Sequence, residues 1–203
     1  MLFPGLTIFM VFILYYAFRR RQIERRETER ETEFWSRENR ALNTRSKDLS
    51  NLEYITVPLE TFPMGLHSEE DLIPFEEKLQ QLSQEKIYNL TGISNTDLML
   101  TYGAGNLDTL SSYDENYTQL VRTIADYGEA LASHSYTEDA ITVLEYGIKI
   151  RSDVTSNYTL LASLYRETGE GRKIRSLLET AKILNSLSKD VILEKLEELN
   201  SEN

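Results

Sequence analysis

The sequence contains no cysteine and only two histidines. The lack of cysteine excludes a disulfide framework and any cysteine–zinc site. His67 and His134 are far apart in the sequence, and neither belongs to an HExxH-type pattern, so a metal centre is not expected. Proline (four residues) and glycine (nine residues) are also few, which favours a helix-rich chain.

Motifs that support catalysis or nucleotide binding are missing as well. The sequence has no GxSxG pattern and no P-loop. Gly103-Ala104-Gly105-Asn106 lacks the preceding strand and the third glycine of a dinucleotide-binding loop, and we expect a turn there. We therefore expect no enzyme activity, no cofactor, no metal and no small-molecule substrate.

The net charge of −11 is distributed unevenly. Residues 19–50 carry ten basic and seven acidic side chains, a net charge of +3. Residues 51–203 carry twelve basic and twenty-six acidic side chains, a net charge of −14. A folded part this acidic repels nucleic acid, so nucleic acid is not an expected partner. Solubility is the simpler explanation of the acidic surface.

The segment Leu2 to Phe18, LFPGLTIFMVFILYYAF, contains no charged side chain. Its seventeen residues are at the lower limit for a membrane-spanning helix, and Tyr15 and Tyr16 suit an interfacial aromatic belt. A cleaved signal peptide would need basic residues before the apolar run and a small-x-small site after it. We therefore predict that residues 1–18 form a retained transmembrane anchor.

A cluster of arginines after this segment sets the predicted orientation. Such clusters stay in the cytoplasm according to the positive-inside rule. We therefore expect a single-pass protein of the cell membrane, with the N-terminus outside and the C-terminal domain in the cytoplasm. The arginines are Arg19, Arg20, Arg21, Arg25 and Arg26.

Residues 19–50 are predicted to form a charged helical stalk and a linker. The stalk lacks proline and glycine up to Asn43, whereas the stretch TRSKDLSN at residues 44–51 breaks the helical pattern. Trp35 and Leu42 are seven residues apart, but one such pair does not make a coiled coil. Dimerisation through the stalk stays open.

Residues 51–67 are predicted to be extended. The stretch YITVPLETFPM, residues 54–64, alternates apolar and polar side chains, while Pro58 and Pro63 exclude a central strand. We expect this segment to lie on helices. Whether it occupies a groove of the helical domain stays open.

The helical domain is predicted at residues 68–203 and begins with an amphipathic helix. Ser68-Glu69-Glu70-Asp71 resembles a capping box. Apolar residues follow at steps of mostly three and four from Leu72 to Leu90, and Gly92 suits the position just past the helix end. Residues 95–113 are interpreted as a shortened helix pair with a turn at residues 103–105.

A period of thirty-four residues is present in the C-terminal half. Gly128 recurs as Ala162, and Gly147 recurs as Ala181. Small residues at such positions let two helices approach closely. The residues predicted to pack the helix pairs together are Gly128, Ala140, Leu144, Gly147, Ala162, Leu178 and Ala181.

This period resembles that of the tetratricopeptide repeat (TPR), a helix–turn–helix unit. The clearest units are residues 117–152 and 153–187, about a third of the chain, and a capping helix is expected at residues 188–200. Thr137 is expected to cap the second helix of the first unit. The repeats are divergent, because the tryptophan and the closing proline of the family are replaced. The replacing residues are Ile124 and Tyr158 for tryptophan, and Ser152 and Ser186 for proline.

The predicted fold is all-α: the N-terminal transmembrane helix is followed by the TPR-like α-solenoid of helix–turn–helix pairs that the resemblance implies. The resemblance also implies that the first helix of each pair lines a peptide-binding groove. The lysine and asparagine with which some members of the family clamp a C-terminal carboxylate are missing, and the acidic surface suits a mixed or basic peptide. The matching groove positions are Arg122, Ala125, Asp126, Glu129, Ser156, Thr159, Ser163 and Arg166.

The expected function is that of a membrane-anchored adaptor, which presents this groove to an unidentified protein or peptide at the cytoplasmic face. The alternative is a self-associating structural or envelope-organising membrane protein. Residues 89–122 also resemble stretches of uncharacterised membrane-anchored bacterial proteins, a resemblance that implies no activity.

Overall fold

The computed structural model describes residues 4–201, without the side chains of residues 4–8 and 11. Within this part of the chain the protein is all-α, as predicted, with eight α-helices, two short 3₁₀ helices and no strand. The α-helices are α1 Pro4–Leu42, α2 Ile73–Leu82, α3 Asn95–Tyr102, α4 Leu107–Ser133, α5 Thr137–Lys149, α6 Thr155–Glu167, α7 Ile174–Lys182 and α8 Lys189–Ser201. The 3₁₀ helices are Ala104–Asn106 and Gly171–Lys173.

Helix α1 contains most of the predicted anchor and the predicted helical stalk without a break. Leu2 and Phe3, the first residues of the apolar run, lie outside the described residues. Among the described residues, no helix combines the length and the apolar character that crossing a membrane requires.

The described chain divides into two compact units. The first consists of residues 4–48 and 94–107, and in it α3 packs on α1. The Arg37 guanidinium donates to the Asp97 carboxylate, and the Thr96 hydroxyl donates to Glu38 Oε1. The sequence predicted α3 as part of a shortened repeat, whereas its contacts tie it to α1.

The second unit consists of residues 49–93 and 108–201. Its core is built from apolar side chains of α4 to α8, joined by Leu79 and Leu82 of α2 and by Val57 and Phe62 of the preceding loop. Within this core, α4 contributes one continuous buried face that includes Leu120, Ile124 and Leu131. The end of the predicted helix pair at residues 95–113 and the start of the predicted first repeat at residue 117 therefore lie in one continuous helix, because Leu110 and Tyr117 continue the same buried face.

The bounds predicted for the first helix of the domain are wrong at both ends. It begins at Ile73, and Ser68 does not cap it, because the Glu69 and Asp71 side chains bind Tyr136 and His134 instead. It ends at Leu82. The stretch that holds Ile87 and Leu90 is not helical, and both side chains are buried. Backbone groups there find tertiary partners, as when the Ile55 N–H donates to the Ile87 carbonyl at 2.9 Å.

The predicted cap of α5 is also wrong. Thr137 is the first helical residue, Tyr136 occupies the N-cap position, and no side chain caps the helix end. The Tyr136 hydroxyl instead donates to Glu69 Oε1 at 2.6 Å. Glu138 and Asp139 remain in the first turn, where their negative charge is favourable to the helix dipole.

The C-terminal ends of α4 and α6 have the same hydrogen bonds, thirty-four residues apart. After α4, the Ser135 N–H donates to the Ala132 carbonyl at 2.9 Å and the Tyr136 N–H donates to the Leu131 carbonyl at 2.9 Å. After α6, the equivalent pairs are Gly169 with Arg166 at 3.1 Å and Glu170 with Tyr165 at 2.6 Å. Ser135 and Gly169 also share a left-handed backbone, with φ of 66° and 76°.

Two serines at the same interval shape the next turns. The Ser152 hydroxyl accepts the Val154 N–H at 3.2 Å, and the Ser186 hydroxyl accepts the Ser188 N–H at 3.2 Å. These are the positions at which the repeat family has its closing proline. A serine that bonds the backbone two residues on stabilises a turn without proline.

Helix α8 continues the interval of thirty-four residues. Its bounds, Lys189–Ser201, lie thirty-four residues after those of α6, Thr155–Glu167. Ile192 and Leu196 of α8 are fully buried, and α8 contacts both α6 and α7. It thus covers the C-terminal side of the α6–α7 pair.

The predicted packing residues lie where helices meet closely. A Cβ atom on Gly128 of α4 would come within 2.6 Å of the Leu144 side chain in α5. A Cβ atom on Gly147 of α5 would come within 3.0 Å of Ile124 Cγ2 and would overlap the Asn157 amide. Ala140, Ala162 and Ala181 are fully buried and Leu178 is partly buried.

Candidate interaction surface

The predicted groove residues of α4 lie mainly on one exposed face. Arg122, Asp126 and Glu129 are exposed, at steps of four and three residues, so their side chains are neighbours on the helix surface. None of the three has an ion-pair partner among the described residues. Ala125 differs, because it is only 3% exposed and cannot line an open groove.

The predicted groove residues of α6 form a neutral row that ends in a cation. Ser156 is exposed, while Thr159, Ser163 and Arg166 are half-buried. The Ser163 hydroxyl donates to the Thr159 carbonyl at 3.0 Å, one turn earlier. Thr159 bonds the preceding turn in the same way. These two hydroxyls are therefore already satisfied within the helix. The seven residues of α4 and α6 other than Ala125 are here named the α4–α6 face.

The segment of residues 51–67, here named the strap, lies on a different side of α4 and α5. The Tyr146 hydroxyl donates to the Thr56 carbonyl at 2.8 Å, and the Tyr146 ring packs edge-on against Phe62 with 5.4 Å between centroids. The Tyr127 hydroxyl contacts the Pro63 carbonyl at 3.4 Å. These contacts use Tyr127 and Tyr146, not the exposed groove positions of α4.

A cluster of charged and aromatic side chains fastens the end of the strap. The His67 ring stacks on the Tyr136 ring at 3.6 Å, and His67 Nε2 lies 2.8 Å from Asp139 Oδ2. Beside it, His134 Nε2 lies 2.9 Å from Asp71 Oδ2. This histidine cluster comprises His67, Glu69, Asp71, His134, Tyr136 and Asp139.

The two histidines, distant in sequence, thus meet at one tyrosine. Sequence reasoning considered them only as metal ligands. Within residues 4–201, no group of three or more histidine, aspartate or glutamate side chains is suited to hold a metal ion. Each imidazole instead lies within hydrogen-bonding distance of one carboxylate, so the cluster serves as a polar fastening of the strap.

Burial raises the pKa of several phenols around these contacts. The pKa of the Tyr146 hydroxyl is raised to about 12 by its removal from water. For Tyr127, burial and the neighbouring Glu76 carboxylate raise the pKa. Such phenols stay protonated at neutral pH, and Tyr146 and Tyr127 therefore act as hydrogen-bond donors to the strap and to α2.

A cleft of about 740 Å³, not predicted from the sequence, lies beside the strap at the α5–α6 and α7–α8 turns. Arg151 lines it with a left-handed backbone, φ 63°. The Tyr117 hydroxyl donates to the Arg151 carbonyl at 2.8 Å and holds this turn. The Ser186 hydroxyl donates to Asp153 across the cleft. The sequence feature nearest to this cleft was the pair Ser152 and Ser186. It was interpreted only as a replacement of the closing proline of the repeat family, and it did not predict a cleft.

The arginines used to predict the orientation lie along α1. The Arg20 guanidinium bonds Glu24 at 2.7 Å and that of Arg25 bonds Glu29 at 2.9 Å, each pair one helical turn apart. Arg19, Arg21 and Arg26 have no ion pair among the described residues. The cluster therefore retains uncompensated positive charge.

Comparison of the chain with protein-family models, with curated proteins and with solved structures finds no significant match.

Proposed function

We propose that this protein is a membrane-attached helical-repeat adaptor, which binds a peptide segment of a partner protein along the α4–α6 face. One observation carries the proposal. The strap binds the Tyr127 and Tyr146 side of α4 and α5, and Asp126 and Glu129 remain exposed and without ion-pair partners.

The repeated helix ends support a solenoid for α4 to α8. The hydrogen bonds after α4 recur after α6 at an interval of thirty-four residues, and α8 has the same length and interval relative to α6. In this interpretation α4–α5 and α6–α7 are successive TPR-like pairs, and α8 is the terminal capping helix that such arrays need.

The charge of the face indicates the chemistry of the peptide. Asp126 and Glu129 are on α4, with Arg122 one turn away, while the α6 side is neutral over Ser156, Thr159 and Ser163. A peptide with basic residues toward α4 complements this arrangement. The unpaired carboxylates would also speed its association at low salt.

We further propose that the N-terminal part of α1 attaches the protein to a membrane, with the C-terminal unit in the cytoplasm. Phe9, Phe12, Leu14 and Phe18 are all more than half exposed, and the arginine cluster follows them. Arginines in this position are retained on the cytoplasmic side. Protease treatment of sealed vesicles carrying a C-terminally tagged chain checks the orientation, and the tag is expected to survive until the vesicles are opened.

The adaptor function is tested with a charge-reversed face. Peptides selected from a random library against the full chain in detergent are expected to be enriched in lysine and arginine. The double variant Asp126→Lys, Glu129→Lys is expected to bind them at least roughly tenfold more weakly, because attraction becomes repulsion. The measurement is a fluorescence-anisotropy titration at fixed salt.

A matched control separates the face from the overall charge. Glu194 and Glu197 are exposed on α8 at the same spacing of three residues. The variant Glu194→Lys, Glu197→Lys makes the same change in net charge and is expected to keep the affinity within about twofold. Equal loss in both variants, or no loss in the first, would remove the α4–α6 face from the proposal.

Self-association through α1 is the alternative function. Phe34 and Trp35 are exposed neighbours on α1, 53% and 61% accessible, with ring centroids 5.3 Å apart. Exposed aromatic pairs of this kind are typical of interfaces. Sedimentation of the full chain in detergent separates the two functions, because an adaptor stays monomeric at micromolar concentration and a self-assembling protein does not.

A further inference from the structure

A basic cleft of about 480 Å³ opens at the end of α6. It is lined by Arg166 of α6, by Gly169 in the following turn, by Gly171 and Arg172 of the second 3₁₀ helix, by Arg175 of α7, and by Asn200 of α8. Three arginines thus converge on one concave surface of a chain whose net charge is −11.

Two of these arginines are not neutralised by the described residues. Arg172 and Arg175 are exposed and have no ion pair or hydrogen bond there. The carboxylate of Glu170 in the same turn is held by Lys173 at 2.5 Å, and Lys173 also binds Glu145 at 3.1 Å. Lys173 thus directs Glu170 toward α5, and Glu170 is not among the residues that line the cleft.

One residue of the cleft lining, Gly169, leaves room that a side chain would fill. Gly169 has a left-handed backbone, φ 76°, and no atom lies within 4 Å of where its Cβ would be. The turn therefore leaves open space beside Gly169 in the lining of the cleft. A side chain at residue 169 would occupy part of this space and would be strained by the backbone angle.

We propose that this arginine cleft binds a phosphate group carried by a small molecule or by a phosphorylated side chain. Guanidinium groups form paired hydrogen bonds with phosphate oxygens, and several arginines match a dianion better than a single carboxylate. The volume exceeds that of one phosphate, so the cleft also holds the group to which the phosphate is attached. Arg166 belongs both to this cleft and to the α4–α6 face, whereas Arg172 and Arg175 lie outside that face, so the test uses those two residues.

The test follows the arginine Nε–Hε signals of the full chain in detergent by NMR. Inorganic phosphate and O-phosphoserine are titrated separately, each against sodium chloride at the same ionic strength. Saturable shifts are expected for the signals of Arg172 and Arg175 with phosphate and not with chloride. O-phosphoserine is expected to bind more tightly than inorganic phosphate, and the reverse order would overturn the assignment to a phosphate ester.

Charge-matched variants complete the test. The double variant Arg172→Gln, Arg175→Gln is expected to weaken phosphate binding at least roughly tenfold, because charge-assisted hydrogen bonds are lost. The variant Lys78→Gln, Lys182→Gln makes the same change in net charge on α2 and at the end of α7, away from the cleft, and is expected to stay within about twofold. Absence of saturable shifts in the unmodified chain, equal shifts with chloride, or equal loss in both variants would overturn the proposal.

Discussion

At the scale of single residues, both histidines of the chain face the ring of Tyr136. The rings of His67 and His134 lie 3.6 and 6.2 Å from it. His134 also bonds Asp71, and this bond raises the pKa of the imidazole above its ordinary value of 6.5. The same bond lowers the pKa of the Asp71 carboxyl below 3.8. The pair is thus a titratable contact between the loop before α2 and the turn after α4.

This contact predicts how stability depends on pH. Since the folded pKa of His134 is raised, its contribution is fully present below pH 6.5 and is lost as the pH rises through the folded value. The contribution of Asp71, whose pKa is lowered, is present above pH 3.8 and is lost on further acidification. The His134→Gln variant is therefore expected to differ most from the natural chain between these limits.

Urea unfolding of the natural chain and of the His134→Gln variant checks this expectation. The difference in unfolding free energy should be larger near about pH 5.5 than near about pH 8.5. Glu69 and Tyr136 also face His134 in this cluster, and both remain in the variant. A difference that does not change between the two pH values would rule out a role for His134 protonation.

The sequence predicted close helix contacts from the small size of certain residues, but it did not predict contacts between polar side chains. Gly128 and Gly147 were singled out because small residues permit close approach, and both lie against large side chains of neighbouring helices. The histidine cluster could not be found in this way. Its members are about seventy residues apart in the chain, and nothing in local periodicity pairs a loop carboxylate with a distant imidazole.

At the scale of helices and turns, two similar Ser-x-x-Asp patterns, each typical of a helix N-terminus, have different structures. Ser68 is followed by Asp71, and Ser94 is followed by Asp97. Only the second pair caps a helix: the Ser94 hydroxyl accepts the Asp97 N–H at 3.2 Å and donates to its carboxylate at 2.6 Å. At the first, Asp71 is bound to His134, and the helix starts later at Ile73 with Pro74 in its first turn.

A pair of alanine substitutions distinguishes the two serines. Ser94→Ala is expected to destabilise α3 by about 1 kcal/mol, because the N-cap hydrogen bond is lost. Hydrogen exchange of the α3 amides should accelerate accordingly. Ser68→Ala, at an exposed residue that caps no helix, should leave exchange in α2 within about 0.5 kcal/mol of its natural value. This assignment would be contradicted if Ser68→Ala accelerated exchange in α2 more than Ser94→Ala accelerated exchange in α3.

The sequence predicted helix positions where the apolar pattern was long. The prediction failed where tertiary contacts replace the hydrogen bonds within a helix. The all-α class was predictable from periodicity, and the turn after α6 from the placement of Gly169. The end of α2 was not, because Ile87 and Leu90 keep a helical spacing while their backbone bonds Ile55 and Asp114. The cleft beside Arg151 was missed because it is formed by four separate turns and loops.

At the scale of the whole second unit, both ends of the proposed α4–α7 repeat array are covered. The strap and α2 contact the Tyr127 side, through Phe75 and Glu76 among others, and α8 covers α6 and α7. Stacked helix pairs expose apolar faces at their ends unless a further segment covers them. The unit is therefore expected to unfold as one cooperative body that depends on α8.

Truncation of one buried side chain of α8 tests this dependence. Leu196 is fully buried, and Leu196→Ala is expected to cost about 2–5 kcal/mol, since it leaves a cavity between α8 and the α6–α7 pair. Val191 of the same helix is 46% exposed, and Val191→Ala should cost no more than about 1 kcal/mol. Urea unfolding followed by circular dichroism measures both. A similar small loss in the two variants would show that α8 is not part of the cooperative core.

The exposed Trp35 on α1 has a practical consequence for spectroscopy. It is the single tryptophan of the chain and belongs to the first unit, whereas buried phenols such as Tyr117 and Tyr158 belong to the second. Tryptophan emission excited at long wavelength therefore reports on one unit. Nine of the twelve tyrosines belong to the second unit, so tyrosine absorbance at alkaline pH reports mainly on that unit. Burial raises the pKa of the Tyr146 and Tyr158 hydroxyls there to about 12. The chain thus contains two intrinsic optical probes, and the unfolding of each unit can be recorded without a label.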